Sequence, residues 1–552
     1  MSENPADRIA ELERLLAQRD AKAKQDELRA AELTQQVTRL KSFVRRLLRG
    51  RFIPSSEKTL IHDPGQLSID LGPDALTPIS PPQPLADVPD GAPGAGTPPK
   101  RRRGRRRPLS TMYPDLQRVI DPHPLKPEDC FDVDGTPLVR MGFEDAETLV
   151  WNISEPYIRV TRRWRYGRAD TAAKVTIAPV PPRITPKGIL ADETIHTAVI
   201  HHVLDALPWH RQEMMSQRAG CRIRRSVLAS AYTDWCDLMQ PLAQAIRTSV
   251  LEQPVVGADS TVMPHQDGRR PRRCSATALW GVTDGRAVFF HWTADQRHAR
   301  VAEVLGAYRG TVVRDEWEGW KVLLAPRTDG DGPLAHAPPP LRMAGCHAHA
   351  RRRFVDLRGD HRANQVLLLY RKLYHVEAEA VERALMGEDL AQVRLELRMQ
   401  RSRTIWSSLL AAAHAICAQE GPSTSLFRAA HYLVKYETTL TRCLEDGRLP
   451  VDNNGTENVL RIVALLRKNR LFLGKSPSAG PWLATALTVL RSCHLANINP
   501  ATYLATVTPT LLRRRENPVA AHEAGELDNL VPHVVARNQT KRMGSSSIAR
   551  AS

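Results

Sequence analysis

Two aspartates stand where carboxylates are costly, and a glutamate further on opens a helix. Asp259 lies inside the apolar stretch VVGADSTVM, Asp315 closes the apolar stretch TVVRD, and Glu457 opens the helical pattern DNNGTENVLRIVALLRKNR. An ionised carboxylate in a buried strand is strongly unfavourable unless a partner or a cation compensates. Two such aspartates on neighbouring strands of one sheet could share a site for a divalent cation, with a third acid supplied by a helix beside them. Oxygen ligands of this kind suit Mg²⁺, with Mn²⁺ able to substitute. Two metals about 4 Å apart can activate the attacking oxygen and stabilise the leaving oxygen of a phosphoryl displacement. Each acid also has a plainer reading. Asp259 precedes Ser260 and Thr261 and could be a turn or cap residue. Asp315 could end its strand and open the helix WEGWKVLL. Glu457 follows Asn454 by three, the spacing of a capping box with Asn454 as N-cap. A glutamate in a first turn is in any case favoured by the helix dipole.

The elements that must position these acids are legible from period and punctuation. VVGADSTVM reads as a strand, and TALWGVTDGRAVFFHWT as two strands joined at Asp284-Gly285, a strong hairpin signal. HARVAEVLGAYRG reads as a helix, GTVVRDEWEGW as a strand, and LRMAGCHAHARRRFVDL as a strand running into a helix. This is the element order of a ribonuclease-H-like fold, an α/β class in which helices flank a mixed sheet. The expected catalytic core spans 251–359 and 446–480, interrupted by a helical insertion over 360–445 and followed by a helical segment over 481–514.

Upstream, Ile9, Leu12, Leu16, Ala23, Ala30, Leu33, Val37, Leu40, Val44 and Leu47 share the a and d positions of one heptad register, which Arg19 and Asp26 interrupt. A coiled coil over 7–50 follows, and with it at least a homodimer. Residues 51–108 read as a disordered linker that ends in a basic run: Lys100, Arg101, Arg102, Arg103, Arg105, Arg106 and Arg107. Residues 109–180 read as a small β-rich module. Residues 181–250 are helical, and RQEMMSQRAGCRIRRSVLASAYTDW has helix-turn-helix spacing around Ala219-Gly220. An ordinary helical hairpin fits the same pattern. Arg222, Arg224 and Arg225 at the second helix, and Arg461, Arg467, Lys468 and Arg470 after Glu457, are candidate DNA-backbone contacts. The tail, 515–552, reads as disordered.

Composition narrows the class. A net charge of +18 over 552 residues points to a polyanionic partner, DNA above all. No apolar run reaches the roughly 18 residues of a spanning helix, so a membrane is not an expected partner. The eight cysteines form no CxxC pair, so neither a zinc ribbon nor a disulfide framework is signalled, and a reducing cytoplasm is the expected setting.

Several stretches resemble the large transposase protein of the IS66 insertion-sequence family. VGADSTVMPHQDG is similar to that family's first-aspartate segment (ADETP) and TVVRDEWEGW to its second (ADGYAGY). AGCHAHARRRFVDL is similar to GCWAHARRKF, and DNNGTENVLRIVALLRKNRLFLGKSPSAG to DNNxxERxLRPxxxxRKNxLFxGS. RFIPSSEK and PKGILADETIHTAVIHHVLDALPWHRQ fall in the family's order, so the resemblance runs from about residue 7 to about residue 512. It implies a DDE enzyme with Asp259, Asp315 and Glu457 as catalytic and metal-binding triad. The implied reaction is hydrolysis at the terminal inverted repeats of a bacterial element, then 3′-OH attack on target DNA at the nucleoid. Accessory proteins of the same element are implied partners.

Cys346 and His349 match the family's CWAH and are read as packing supports for the site. A C-x2-H pair alone makes a poor metal site. Departures are also present. Ser260 replaces the family glutamate, His347 replaces its tryptophan, and only Cys130 remains of its two CxxC pairs, so bound zinc is not expected. Two other functions compete: a non-catalytic DNA-binding protein derived from a transposase, and a repair nuclease of the same fold.

Overall fold

The computed structural model describes residues 109–132, 135–151, 156–167, 175–266, 274–297, 299–306, 308–316, 320, 341–470, 472–518 and 525–539. The expected coiled coil, the linker and the basic run from Lys100 to Arg107 lie outside these residues. The described chain is mixed α/β, and all of it belongs to the compact unit Arg105–Ser552.

A small sheet comes first. It contains β1 (Arg118–His123), β2 (Val139–Val150), β3 (Tyr157–Gly167) and the short β4 (Thr176–Ile177). β3 is central, parallel to β1 and antiparallel to β2 and β4. Cys130 packs here with Leu125, Tyr166 and Ala178, in the manner of a small apolar side chain.

Three helices follow: α1 (Asp192–Val203), α2 (Trp209–Arg218) and α3 (Arg225–Leu251). Gly220, at φ +80°, makes the bend after α2, where a side chain would be strained. The 27-residue α3 buries Leu228, Trp235, Met239, Leu242 and Ile246 in the same cluster as the larger sheet.

That sheet is built from β5 (Val255–Gln266), β6 (Cys274–Thr283), β7 (Val288–Thr293), β8 (Thr311–Val313) and β9 (Arg342–Ala344), in spatial order β7-β6-β5-β8-β9. β5, β6 and β7 form an antiparallel meander, while β8 and β9 are parallel to β5 and to each other. The β6–β7 turn is tightened by Asp284, whose Oδ1 accepts from the Arg286 and Ala287 amides, with Gly285 at φ +86°. Helix α4 (Ala299–Leu305) links β7 to β8.

Beyond β9 the chain runs through α5 (His347–Val355), α6 (His361–Leu385), α7 (Leu390–Leu397), α8 (Arg403–Gln419), α9 (Ser425–Lys435) and α10 (Glu437–Thr441). These helices share their own core around Tyr370, Trp406, Leu409 and Leu433, which reaches the sheet at Val313 and Ala344. The chain then returns as α11 (Asn454–Arg470), α12 (Ala479–Leu495) and α13 (Pro500–Glu516).

Helix α12 covers the free edge of β7. Thr488 Oγ1 accepts from the Phe290 amide, and Ser492 Oγ both accepts from the Val288 amide and donates to its carbonyl. An edge strand left bare would invite pairing with another chain, and these hydroxyls occupy its groups instead.

The expectation of a disordered tail from 515 is corrected over residues 525–539. Val531 is fully buried, Glu526 pairs with Arg513 and Arg514 at 2.7 Å, and the Tyr503 hydroxyl donates to the Leu530 carbonyl. The apolar spacing Leu527, Leu530, Val531, Val534, Val535 supplies the reason, since it gives a polar segment one face to bury. Among the described residues no helix is long and apolar enough to cross a membrane.

Candidate active site

Sheet register brings the first two acids together. β5 and β8 pair Gly257 with Val313, and β8 and β9 pair Val313 with Ala344. Two residues further along each chain stand Asp259, Asp315 and Cys346. Asp259 within β5, Asp315 just past β8 and Cys346 just past β9 thus occupy equivalent positions: a carboxylate, a carboxylate and a thiol.

Helix α11 is laid over β5 and β6 by two small residues. Gly257 admits it so closely that a methyl group there would lie 2.1 Å from Thr456 Oγ1, and Gly281 is crowded by Leu460. Both ends of α11 are tied down. At its start the Asn453 side-chain amide donates to the Ala258 carbonyl, and the Asn453 backbone amide to Cys346 Sγ. Beyond its end Leu473 exchanges backbone hydrogen bonds with Pro264 and Gln266 of β5.

The expected capping box is not formed. The Asn453 carbonyl accepts from the Thr456 and Glu457 amides, so Asn453 is the cap residue and Glu457 lies one position deeper than a box requires. Asn454 instead donates to Asp452 through both its backbone and side-chain amides. The physical reason is tertiary. Only Asn453 can reach the β5 carbonyl, and that bond sets the phase of the helix.

Glu457 is therefore released from capping and points to the strand ends. His349 Nε2 lies 3.6 Å from Glu457 Oε1, and Arg352 lies 3.9 Å from Oε2. Glu457 Oε1 is buried and accepts no hydrogen bond. Asp315 Oδ1 accepts from the indole of Trp320 at 3.0 Å, and that indole stands edge-on against Trp280. Asp259 accepts from the Ser260 amide at 2.7 Å. Burial first, then the charges of Asp315 and Glu457, push the Asp259 carboxyl up to about 7. Asp315 and Glu457 thus both act on Asp259, a buried carboxyl for which a negative charge is unwelcome.

A divalent cation fits this donor set. It would offset the mutual repulsion and give the unpartnered Glu457 oxygen a ligand role. Among the described residues, the group of three whose ligand atoms lie within 4.8 Å of one another is Cys346, His349 and Glu457, not the three acids. Burial pushes the Cys346 thiol up to about 12, however, and its sulfur already accepts from Asn453. It serves as packing between β9 and α11.

Sequence reasoning missed several neighbours. Arg314 and Glu316 flank Asp315 as a buried ion pair at 2.8 Å, and Thr439 donates to the same glutamate. Tyr374 donates to Asp452 from α6. Alternation in TVVRDE hinted at the inward arginine, but its partner two residues on is a tertiary choice. Of the candidate DNA contacts, Arg222, Arg224 and Arg225 are exposed where α3 begins, and Arg222 is held by Glu213 at 3.1 Å. Arg461 and Lys468 are exposed on α11, and Arg467 donates to the Val262 carbonyl. The Arg470 side chain is outside the described set.

Residues 187–480, just over half of the chain, match the family described as Transposase IS66 family. The chain belongs to the IS66 transposase family. The matched region of this IS66 member contains all three acids and the helices between them. It is also similar to three proteins of Sinorhizobium fredii (strain NBRC 101917 / NGR234). With uncharacterized protein y4jD it shares 28% identity over 484 residues, 84% of this chain and 89% of that one. With y4qI the identity is 27%, covering 79% of each chain, and with y4hP it is 26%, covering 75% and 76%.

Proposed function

We propose that this IS66 transposase is a DDE enzyme on a ribonuclease-H-like core, with Asp259, Asp315 and Glu457 as its catalytic carboxylates. The observation that carries the reading is the coupling of the three acids. Sheet register sets Asp259 of β5 level with Asp315 just past β8, and the charges of Asp315 and Glu457 both raise the pKa of the Asp259 carboxyl, which supports the reading. The reaction adds water across a phosphodiester at the element's end, breaking the P–O3′ bond and freeing a 3′-OH. That hydroxyl then attacks a target phosphodiester and displaces its 3′ oxygen.

Asp259, Asp315 and Glu457 would hold Mg²⁺ or Mn²⁺, which supplies positive charge to the attacking and leaving oxygens when bound. The protein's own part is positioning. Trp320 fixes the Asp315 carboxylate, Asn453 and Leu473 fix the helix that carries Glu457, and Arg352 offers charge beside it. Exposed Arg222, Arg224, Arg225, Arg461 and Lys468 are proposed tracks for DNA backbone. Self-association through the N-terminal heptads would pair two element ends.

The test is strand nicking of DNA that carries the terminal repeats, with Mn²⁺ present. Wild-type protein should nick, while Asp259→Asn, Asp315→Asn and Glu457→Gln should each lose activity by about 10²-fold or more with binding retained. Specific binding by wild type without nicking, even with accessory proteins supplied, would leave a DNA-binding role in its place.

A further inference from the structure

Beside the acids lies a cleft that the transposase reading leaves without a task. It is open to solvent, measures about 560 Å³, and runs from Asp315 and His349 to one face of α9. Its far wall repeats at helical spacing: Phe427, Arg428, His431, Lys435. Thr424 caps α9 by accepting from the Phe427 amide at 3.1 Å, which sets that face. Arg428, His431 and Lys435 are exposed, and from the near wall Arg353 lies over the Tyr432 ring at 4.2 Å. The Phe427 and His431 rings are stacked, 5.4 Å apart and 11° from parallel. Glu316 also lines the cleft, but its charge is matched by Arg314. The wall therefore combines exposed positive charge with aromatic faces, and Asp315 stands at its inner end.

We infer that this cleft binds an unpaired nucleotide of the DNA strand whose phosphate is presented to Asp315. The inference rests on the DDE reading of that aspartate. Single strands are held by cations that track the backbone and by aromatic rings on which bases stack, and α9 offers both on one face. The volume lies within the range of roughly 300–1,000 Å³ for pockets that enclose a small ligand. One nucleotide fits; a duplex does not. A strand delivering its phosphate to Asp315 passes directly along this wall. Arg353, Arg428 and Lys435 receive the neighbouring phosphates, and the base lies against Phe427 and His431.

The full chain in EDTA tests this by fluorescence anisotropy, with a labelled mixed-sequence single strand and the matching duplex as probes. The doubly substituted R428E/K435E protein and Phe427→Leu should each weaken single-strand binding about tenfold, with duplex binding within about twofold. R428E/K435E should also lower the salt slope for the single strand by about 1.4, the loss of two phosphate contacts. A 4-thiothymidine in the strand should cross-link to α9 in wild type and lose that cross-link in R428E/K435E. Both altered residues are exposed, so an unchanged melting temperature separates lost contact from lost fold. Unaltered single-strand affinity, equal losses for duplex and single strand, or cross-links only to other elements overturn the inference. Because EDTA removes the chemistry, the two readings fail separately. An inactive enzyme that keeps the α9 cross-link refutes catalysis alone, and an active enzyme without it refutes the cleft alone.

Discussion

At the scale of residues, the site depends on what is missing from Gly257 as much as on what Glu457 carries. Gly257→Ala would set a methyl group 2.1 Å from Thr456 Oγ1 and 3.1 Å from Asn453 Oδ1, so α11 must lift from β5. A displacement of about 1 Å at a reacting centre costs on the order of 10²-fold in rate. Nicking by Gly257→Ala should fall by about that factor with DNA binding unchanged, and adding Thr456→Ala, which removes the offending oxygen, should restore much of it. Failure of the second substitution to rescue would show that the glycine matters for another reason. Legibility also divides at this scale. Asp259 and Asp315 stood out because charge in an apolar stretch is anomalous, whereas Glu457 was singled out by the resemblance of DNNGTENVLR to the family motif. The cap did not, because Asn453 and Asn454 are the same residue type side by side, and only a bond to Ala258 distinguishes them.

At the scale of elements, the hairpin at Asp284-Gly285 and the strand that ends in Asp315 could be read from turn chemistry and apolar runs. Short β9, running into a helix, was legible in the same way, but the covering of β7 by α12 was not. α12 reads as an ordinary apolar helix, and its Thr488 and Ser492 acquire their roles only against a strand edge. The insertion holds a further feature invisible in sequence. Residues Arg398–Ser402, between α7 and α8, wind as a π-helix. The extra residue turns Arg398 fully inward, where it makes a bidentate pair with Glu377 at 2.7 and 2.8 Å and donates to the Cys443 carbonyl. Removing one partner of a buried pair strands the other charge. Glu377→Ala should therefore destabilise the protein by about 3–5 kcal/mol in urea, and Glu377→Gln by less. A loss under about 1 kcal/mol would mean that water reaches Arg398.

At the scale of the whole molecule, each of the two larger cores has a histidine beside it that burial keeps neutral. His196 lies against Thr508 at 3.1 Å beside the larger core, and His347, bonded to the Leu440 carbonyl, lies edge-on to Tyr370 and Trp406 in the core of the helical insertion. Burial pushes both down to about 4. Since both folded pKa values lie below the unfolded value of about 6.5, the unfolded chain binds more protons in that window. Their contribution is complete above pH 6.5 and is lost as pH falls towards 4, by up to about 3 kcal/mol per histidine. Urea midpoints at pH 7 and pH 4.5 should separate more for wild type than for H196Q/H347Q, and equal separations would refute the assignment. Asp259 acts with the opposite sign in the cation-free protein. Its raised pKa favours the fold at low pH, and that benefit is lost as pH rises through about 7.

The separation of 142 positions between Asp315 and Glu457 also orders events in time. A ribosome adding about 5–20 residues per second completes the two aspartates well before the third acid exists. Until the strand-clamped helix emerges, the nascent chain lacks the third of the proposed catalytic carboxylates. A message broken or a frame lost anywhere within the insertion would leave a protein that keeps both aspartates and lacks Glu457. Such a product would also lack α12, so the edge of β7 would stand bare and invite pairing with another chain.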